Sequence, residues 1–175
     1  MKTIYIIRHA KSSWDNPSLS DFDRPLNPRG LKTAPMMGTY LSQKGINPDI
    51  ILSSPALRAA ETAHLLKNAA SWQAEISFDE RIYEASPQTL HHIVKELDGQ
   101  IPSVLIIGHN PGIESFIRLL TNRVEAMPTC SFAHIVCREN LWSDVRPGDC
   151  DLVEIIRPKE IAPGIAPKSG AAGQK

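Results

Sequence analysis

No segment of this chain stays apolar for the roughly 18–20 residues that a membrane-crossing helix requires. The first apolar run, Ile4–Ile7 behind Lys2, is also too short for the hydrophobic part of a secretion signal. Excess charge is missing as well, since 19 basic and 19 acidic residues cancel. No overall field therefore draws the protein to nucleic acid or to an anionic membrane, and any cationic feature has to be local. Cysteine is scarce: Cys130, Cys137 and Cys150 are an odd number without the paired spacing of a zinc site. Three reduced thiols in a cytoplasmic protein are the expectation. HxH and CxxC arrangements are absent, so no metal or other cofactor is expected.

What is there suits one well-filled domain: 175 residues, 42% apolar and 22% charged. Three continuously apolar runs, Thr3–Ile7, Asp49–Leu52 and Ser103–Ile107, read as strands covered on both faces. Phe132–Cys137, Asp151–Arg157 and Ile76–Phe78 are further strand candidates, with an antiparallel edge position expected for the second. Between them lie helical signals. Asn27-Pro28, Ser54-Pro55, Ser86-Pro87 and Asn110-Pro111 each resemble a capping residue followed by proline, ahead of helices over Leu31–Lys44, Ala56–Ala69, Gln88–Leu97 and Gly112–Leu120. Pro35 should kink the first of these or delay its start. In the second, Leu57, Ala60, His64 and Leu65 recur at helical spacing, which places His64 on a packed stripe. His91 and His92 read as helix surface, and Trp72 and Trp142 as packing residues. Strands alternating with helices imply an α/β domain with a mostly parallel sheet and helices on both faces. Residues 1–157 form that domain. From Pro158 to Lys175, Pro, Gly, Ala and Lys dominate, which reads as a flexible tail.

In open α/β sheets, functional groups gather beyond the carboxyl ends of the strands. The first apolar run delivers Arg8-His9 there, the second leads through Ser53-Ser54-Pro55 to Arg58, and the third delivers Gly108-His109-Asn110-Pro111. Taken singly, an arginine at a strand end is usually a solvated group and a histidine a hydrogen-bonded structural one. Three strand ends agreeing reverses that balance. Two guanidinium groups and two imidazoles on one rim disfavour each other's charge unless a dianion joins them, and the guanidinium fork matches phosphate oxygens.

RHAKSSW at Arg8–Trp14, PLNPRG at Pro25–Gly30, SSPALRAAET at Ser53–Thr62 and GHNPGIE at Gly108–Glu114 together resemble the motifs of the histidine phosphatase superfamily, the family of phosphoglycerate mutase. Within it, RHAKSxW, the short chain and GHNPGIE are most similar to the SixA-type phosphohistidine phosphatases. The resemblance covers about residues 2–157. It implies a phosphoglycerate mutase-like three-layer sandwich and a metal-independent phosphatase with a phosphohistidine intermediate. His9 would be the nucleophile, and Arg8, Arg58 and His109 would complete the phosphate pocket. Ala10 stands where many members carry glycine. Asp15, where mutases carry asparagine, is expected to point away from a bound phosphate. Ser12 either donates to the phosphate or caps its loop. The general acid for phosphate esters would be Glu84, with Glu80 as its rival. Few residues separate Glu84 from His109, which implies an open pocket and a phosphohistidine substrate on a partner protein. A small phosphomonoester is the alternative, and a non-catalytic phosphate-binding module a further one.

Overall fold

A computed structural model describes residues 1–161. Six strands, β1 (Lys2–Arg8), β2 (Ile50–Ser53), β3 (Ile76–Phe78), β4 (Ser103–Gly108), β5 (Phe132–Cys137) and β6 (Cys150–Ile156), form one sheet in the order β3-β2-β4-β1-β5-β6. β1, β2, β3 and β4 are parallel, while β5 runs antiparallel to both β1 and β6. The reversed strand is thus β5. β6, at the edge, is antiparallel to its neighbour but points the same way as β1.

The apolar runs are continuous because both sheet faces are covered. Ile7, Ile51, Leu105 and Ile107 face a core shared with Met37 and Leu41 of α1 (Pro28–Gln43) and Ala63 and Leu66 of α2 (Leu57–Ala70). Ile4, Ile6, Val104 and Ile106 face the opposite core with Leu90 and Ile93 of α3 (Pro87–Lys95) and Phe116 and Ile117 of α4 (Gly112–Thr121). All six residues of β4 are buried, as befits the strand between β1 and β2. This is the three-layer sandwich expected. Trp72 and Trp142 are packing residues, each donating its indole N–H to a backbone carbonyl, Ile46 O and Ile101 O respectively (both 2.8 Å).

Two of the four capping expectations hold. The Asn27 side chain accepts from Gly30 N ahead of α1, and Ser86 accepts from Thr89 N ahead of α3. Pro35 lies within α1 without delaying its start at Pro28. α2 and α4 instead start behind Ala56 and Pro111, with no side-chain cap. The buried face of α2 is also different from the one the leucine spacing suggests. It comprises Arg58, Ala59, Thr62, Ala63, Leu66 and Ala70, while Leu57 and His64 are exposed.

Three further expectations are corrected. Cys137 and Cys150, opposite each other across the β5–β6 pairing, are joined in a disulfide, so only Cys130 is a free thiol. Structure also continues past residue 157. Pro158–Glu160 form a 3-10 turn, and Ile161 is buried against the α1–α2 core. The remaining tail, 162–175, lies outside the described residues. His91, read as helix surface, is instead part-buried, with its Nε2 2.7 Å from Val145 O. Among the described residues, no helix is long and apolar enough to cross a membrane.

Candidate active site

The sheet order explains why three distant motifs meet. β4 lies between β1 and β2, with Arg8 level with Gly108 and Ser53 level with Ile107. Past these ends the backbone stays tied, His9 N–H donating to Gly108 O and Ser54 N–H to Ile107 O (both 3.0 Å). Arg8-His9, Ser54 and His109 therefore leave the sheet side by side, and the first turn of α2 carries Arg58 back toward them.

His9 is 6% exposed. Its Nδ1 lies 2.7 Å from the Ala10 carbonyl oxygen, which only a protonated Nδ1 can satisfy as a donor. That bond fixes the tautomer and leaves the Nε2 lone pair for chemistry. Burial lowers the His9 pKa to about 3, with nearby His109, Arg58 and Arg8 pushing the same way against the Ala10 hydrogen bond. The His109 ring is centred 5.1 Å away, and its Nε2 lies 2.8 Å from Ser54 Oγ. Burial, and then Arg58, lower the His109 pKa to about 4. Both rings are therefore neutral near pH 7. Ser54, expected as a helix cap, bonds His109 and also accepts from Ala56 N–H (3.2 Å) ahead of α2.

Arg8 donates from Nη1 to Met127 O (3.2 Å), while its buried Nε has no partner among the described residues. Burial lowers its pKa too. Arg58 is anchored by Asp21, donating from Nη1 to the backbone oxygen (2.6 Å) and from Nη2 to Oδ2 (3.0 Å). Asp21 also accepts from Arg24 Nη1 (3.0 Å) and the Tyr83 hydroxyl (2.6 Å). Tyr83 and the arginines hold the Asp21 carboxyl at a pKa of about 2. Arg24 donates in turn to Ser13 O (3.0 Å) and Ser12 Oγ (2.5 Å), and its guanidinium lies 3.2 Å from the centre of the Trp14 ring. Ser12 thus faces the site as an acceptor for Arg24.

Two cavities meet on this network. The smaller, of about 220 Å³, is lined by His9, His109 and Ser12 with four cationic side chains, Arg8, Lys11, Arg24 and Arg58. The larger, of about 450 Å³, shares Arg58, His109 and Asn110 with it and adds Asp21, Tyr83 and Glu84. The sequence-predicted Arg8, His9, Ser12, Arg58 and His109 all line the first, and Glu84 lines the second. Glu80 lines neither; it sits in the 3-10 turn Glu80–Ile82. Exposed Asp15 lines neither as well. Asp21, Arg24, Lys11 and Asn110 were not singled out from the sequence. Their only signals are loop positions, Asp21 and Arg24 three apart beside PLNPRG, and Asn110 inside GHNPGIE. No group of three or more His, Cys, Asp or Glu is arranged to hold a metal ion among the described residues.

Residues 4–103 match the model of the histidine phosphatase superfamily, branch 1. The chain belongs to this superfamily. The matched segment spans Arg8, His9, Arg58 and Glu84 and ends before His109, which the sheet brings to the same site. A chloroplast protein of Arabidopsis thaliana is 31% identical over 170 residues, covering 90% of this chain and 78% of the relative. Among solved structures, a SixA-type protein of Agrobacterium tumefaciens is 26% identical, with a TM-score of 0.78 over 90% of this chain and 98% of its own. The protein histidine phosphatase SixA complexed with tungstate has a TM-score of 0.79 at 20% identity, over 90% of this chain and 98% of its own. The histidine phosphatase chain thus has the phosphoglycerate mutase-like fold that its motifs imply.

Proposed function

We propose that the chain is a phosphatase that works through a phosphohistidine intermediate on His9 and acts on phosphohistidine carried by a partner protein. One observation carries this reading: a neutral His9, its Nδ1–H held by Ala10, on a cavity with four cationic side chains and no carboxylate. Nε2 forms a bond to phosphorus as the bond to the leaving nitrogen or oxygen breaks. Water then attacks the His9–phosphoryl group and releases phosphate. Phosphoryl transfer asks mainly for positioning and charge stabilisation, which Arg8, Arg58 and His109 supply without a metal. A leaving imidazole departs readily once protonated, whereas an alkoxide needs an acid. Our candidate for that role is Glu84, which lines the larger cavity with His109; its rival Glu80 lines neither cavity.

A substrate on a protein is supported by the short path between Glu84 and His109, which holds only α3 and β4 and no enclosing insertion. The runner-up, a small phosphomonoester, is favoured by the 450 Å³ cavity, room enough for a small leaving group. The proposed setting is the cytoplasm.

The test measures turnover of p-nitrophenyl phosphate and of a phosphohistidine-bearing protein, with EDTA present. His9→Ala should lose about 10³-fold or more on both, together with the acid-labile phosphoenzyme. Glu84→Gln should slow ester hydrolysis about 10²-fold and leave phosphohistidine cleavage near wild type. Turnover surviving His9→Ala would overturn the nucleophile. Sugar phosphates outpacing the phosphoprotein would favour the runner-up.

A further inference from the structure

The two cavities share a wall but differ in charge. The phosphoryl side carries Arg8, Lys11, Arg24 and Arg58, with no acidic residue. The larger side carries Asp21 and Glu84, with Arg58 as its one cationic lining residue. Asp21 is the residue at the junction. Of the five N–H donors a guanidinium offers, Arg58 has two engaged by Asp21, one on its carbonyl and one on its carboxylate. The same carboxylate receives Arg24 on its other oxygen and Tyr83 beside Arg58. Its side chain remains 47% exposed, so it presents charge to the larger cavity while holding both arginines. Among the described residues, the other three donors of Arg58 have no hydrogen-bond partner.

We propose that Asp21 is a specificity-determining residue: it denies an anionic leaving group the guanidinium of Arg58 and so restricts this site to phosphoryl groups carried by neutral or cationic leaving groups. This rests on the phosphatase reading above and narrows its substrate class. A leaving group bearing a carboxylate or a second phosphate, placed beyond His109, meets Asp21 and Glu84 with Arg58 already paired to Asp21. A protonated imidazole, or a basic segment of a partner protein flanking the phosphorylated side chain, meets complementary charge. Asp21 is also a positioning residue, because it aims Arg58 and, through Arg24, orders Ser12 and the Trp14 face.

The test separates binding from turnover. Phenyl phosphate, 4-carboxyphenyl phosphate and 4-(aminomethyl)phenyl phosphate share a phosphoryl group and differ in leaving-group charge. Their affinities for the full chain carrying His9→Ala, read by calorimetry, should place the carboxylate compound about tenfold below phenyl phosphate and the ammonium compound at or above it. Adding Asp21→Asn, which keeps an acceptor for Arg58, should bring the carboxylate compound to within about threefold. Asp21→Glu should keep the wild-type ratio. Equal affinities in the parent chain, or a ratio untouched by Asp21→Asn and abolished only by Glu84→Gln, would overturn the proposal. Discrimination without turnover by the unmutated chain would keep the charge partition and overturn the phosphatase reading. If no compound binds, both fall.

Discussion

His9 and His109 are held neutral by burial among cations, and that arrangement has a stability consequence. A histidine with a folded pKa below its unfolded value of 6.5 takes its proton more readily in the unfolded chain. Its contribution to stability is complete above pH 6.5 and is lost as pH falls toward the folded values, about 3 for His9 and about 4 for His109. Between pH 6.5 and 5 each neutral ring accounts for about 2 kcal/mol of lost stability. Part-buried His134, lowered in the same direction, adds to the same window. Asp21, lowered from 3.8 to about 2, acts only below that window and is separable from it. Urea unfolding should therefore show a steep loss from pH 7 to pH 5, and His9→Gln should remove about 2 kcal/mol of it. An unchanged slope in that variant would mean that His9 titrates near its unfolded value. The neutral ring at pH 5 also keeps the proposed nucleophile competent there.

At the scale of elements, the sequence was most legible where local chemistry and tertiary structure agree. Asn27 and Ser86 cap helices that bear no proposed reacting residue, and both expectations hold. Ser54 and Asn110 carry the same cap-plus-proline pattern but serve the site, Ser54 on His109 and Asn110 on Glu114 and Met127 O. Ser54 Oγ also accepts from Ala56 N–H (3.2 Å) just ahead of α2, so the local signal persists beside the contact that serves the site. The packed face of α2 departs from its local pattern as well. Leucine spacing selects Leu57 and His64 as its inner face, but Arg58 turns inward, and small residues such as Ala59 and Ala63 fill the rest. Gly38 of α1 allows that close packing, since a methyl there would press on the Leu66 backbone. Gly30 does the equivalent beneath the site: any Cβ would overlap the Lys11 carbonyl oxygen, which also accepts from Asn27 N (2.9 Å). Gly30→Ala should cost about 1–3 kcal/mol, from overpacking against backbone that cannot easily yield. Because Lys11 and Ser12 move with that carbonyl, kcat/KM on p-nitrophenyl phosphate should fall about tenfold, a loss expected from slight misplacement of a site. A stable, fully active variant would show that the loop adapts.

Viewed across the whole molecule, the site and the disulfide occupy opposite ends of the same sheet. Arg8 pairs with Gly108 at the end where the motifs converge, whereas Lys2, at the start of β1, pairs with Cys137. Six residue-to-residue steps of strand, from Lys2 to Arg8, separate the two, about 20 Å at 3.3 Å per step. The odd cysteine count concealed this link, because cross-strand pairing depends on the β5–β6 register and not on spacing along the chain. Strand order was equally hidden, since hydrophobic periodicity marks β4 as buried without saying which strands flank it. The linked cysteines are 13 residues apart, a loop for which closure entropy gives about 3 kcal/mol. Chain isolated in air and unfolded in denaturant should then show one reactive thiol, Cys130, and reduction should lower the unfolding free energy by about that amount. Turnover should not change, because neither sulfur approaches the cavities. Alkylation inside cells before lysis addresses the setting separately. Cytoplasmic reductants oppose such bonds, so three modified cysteines agree with the proposed compartment and one speaks against it.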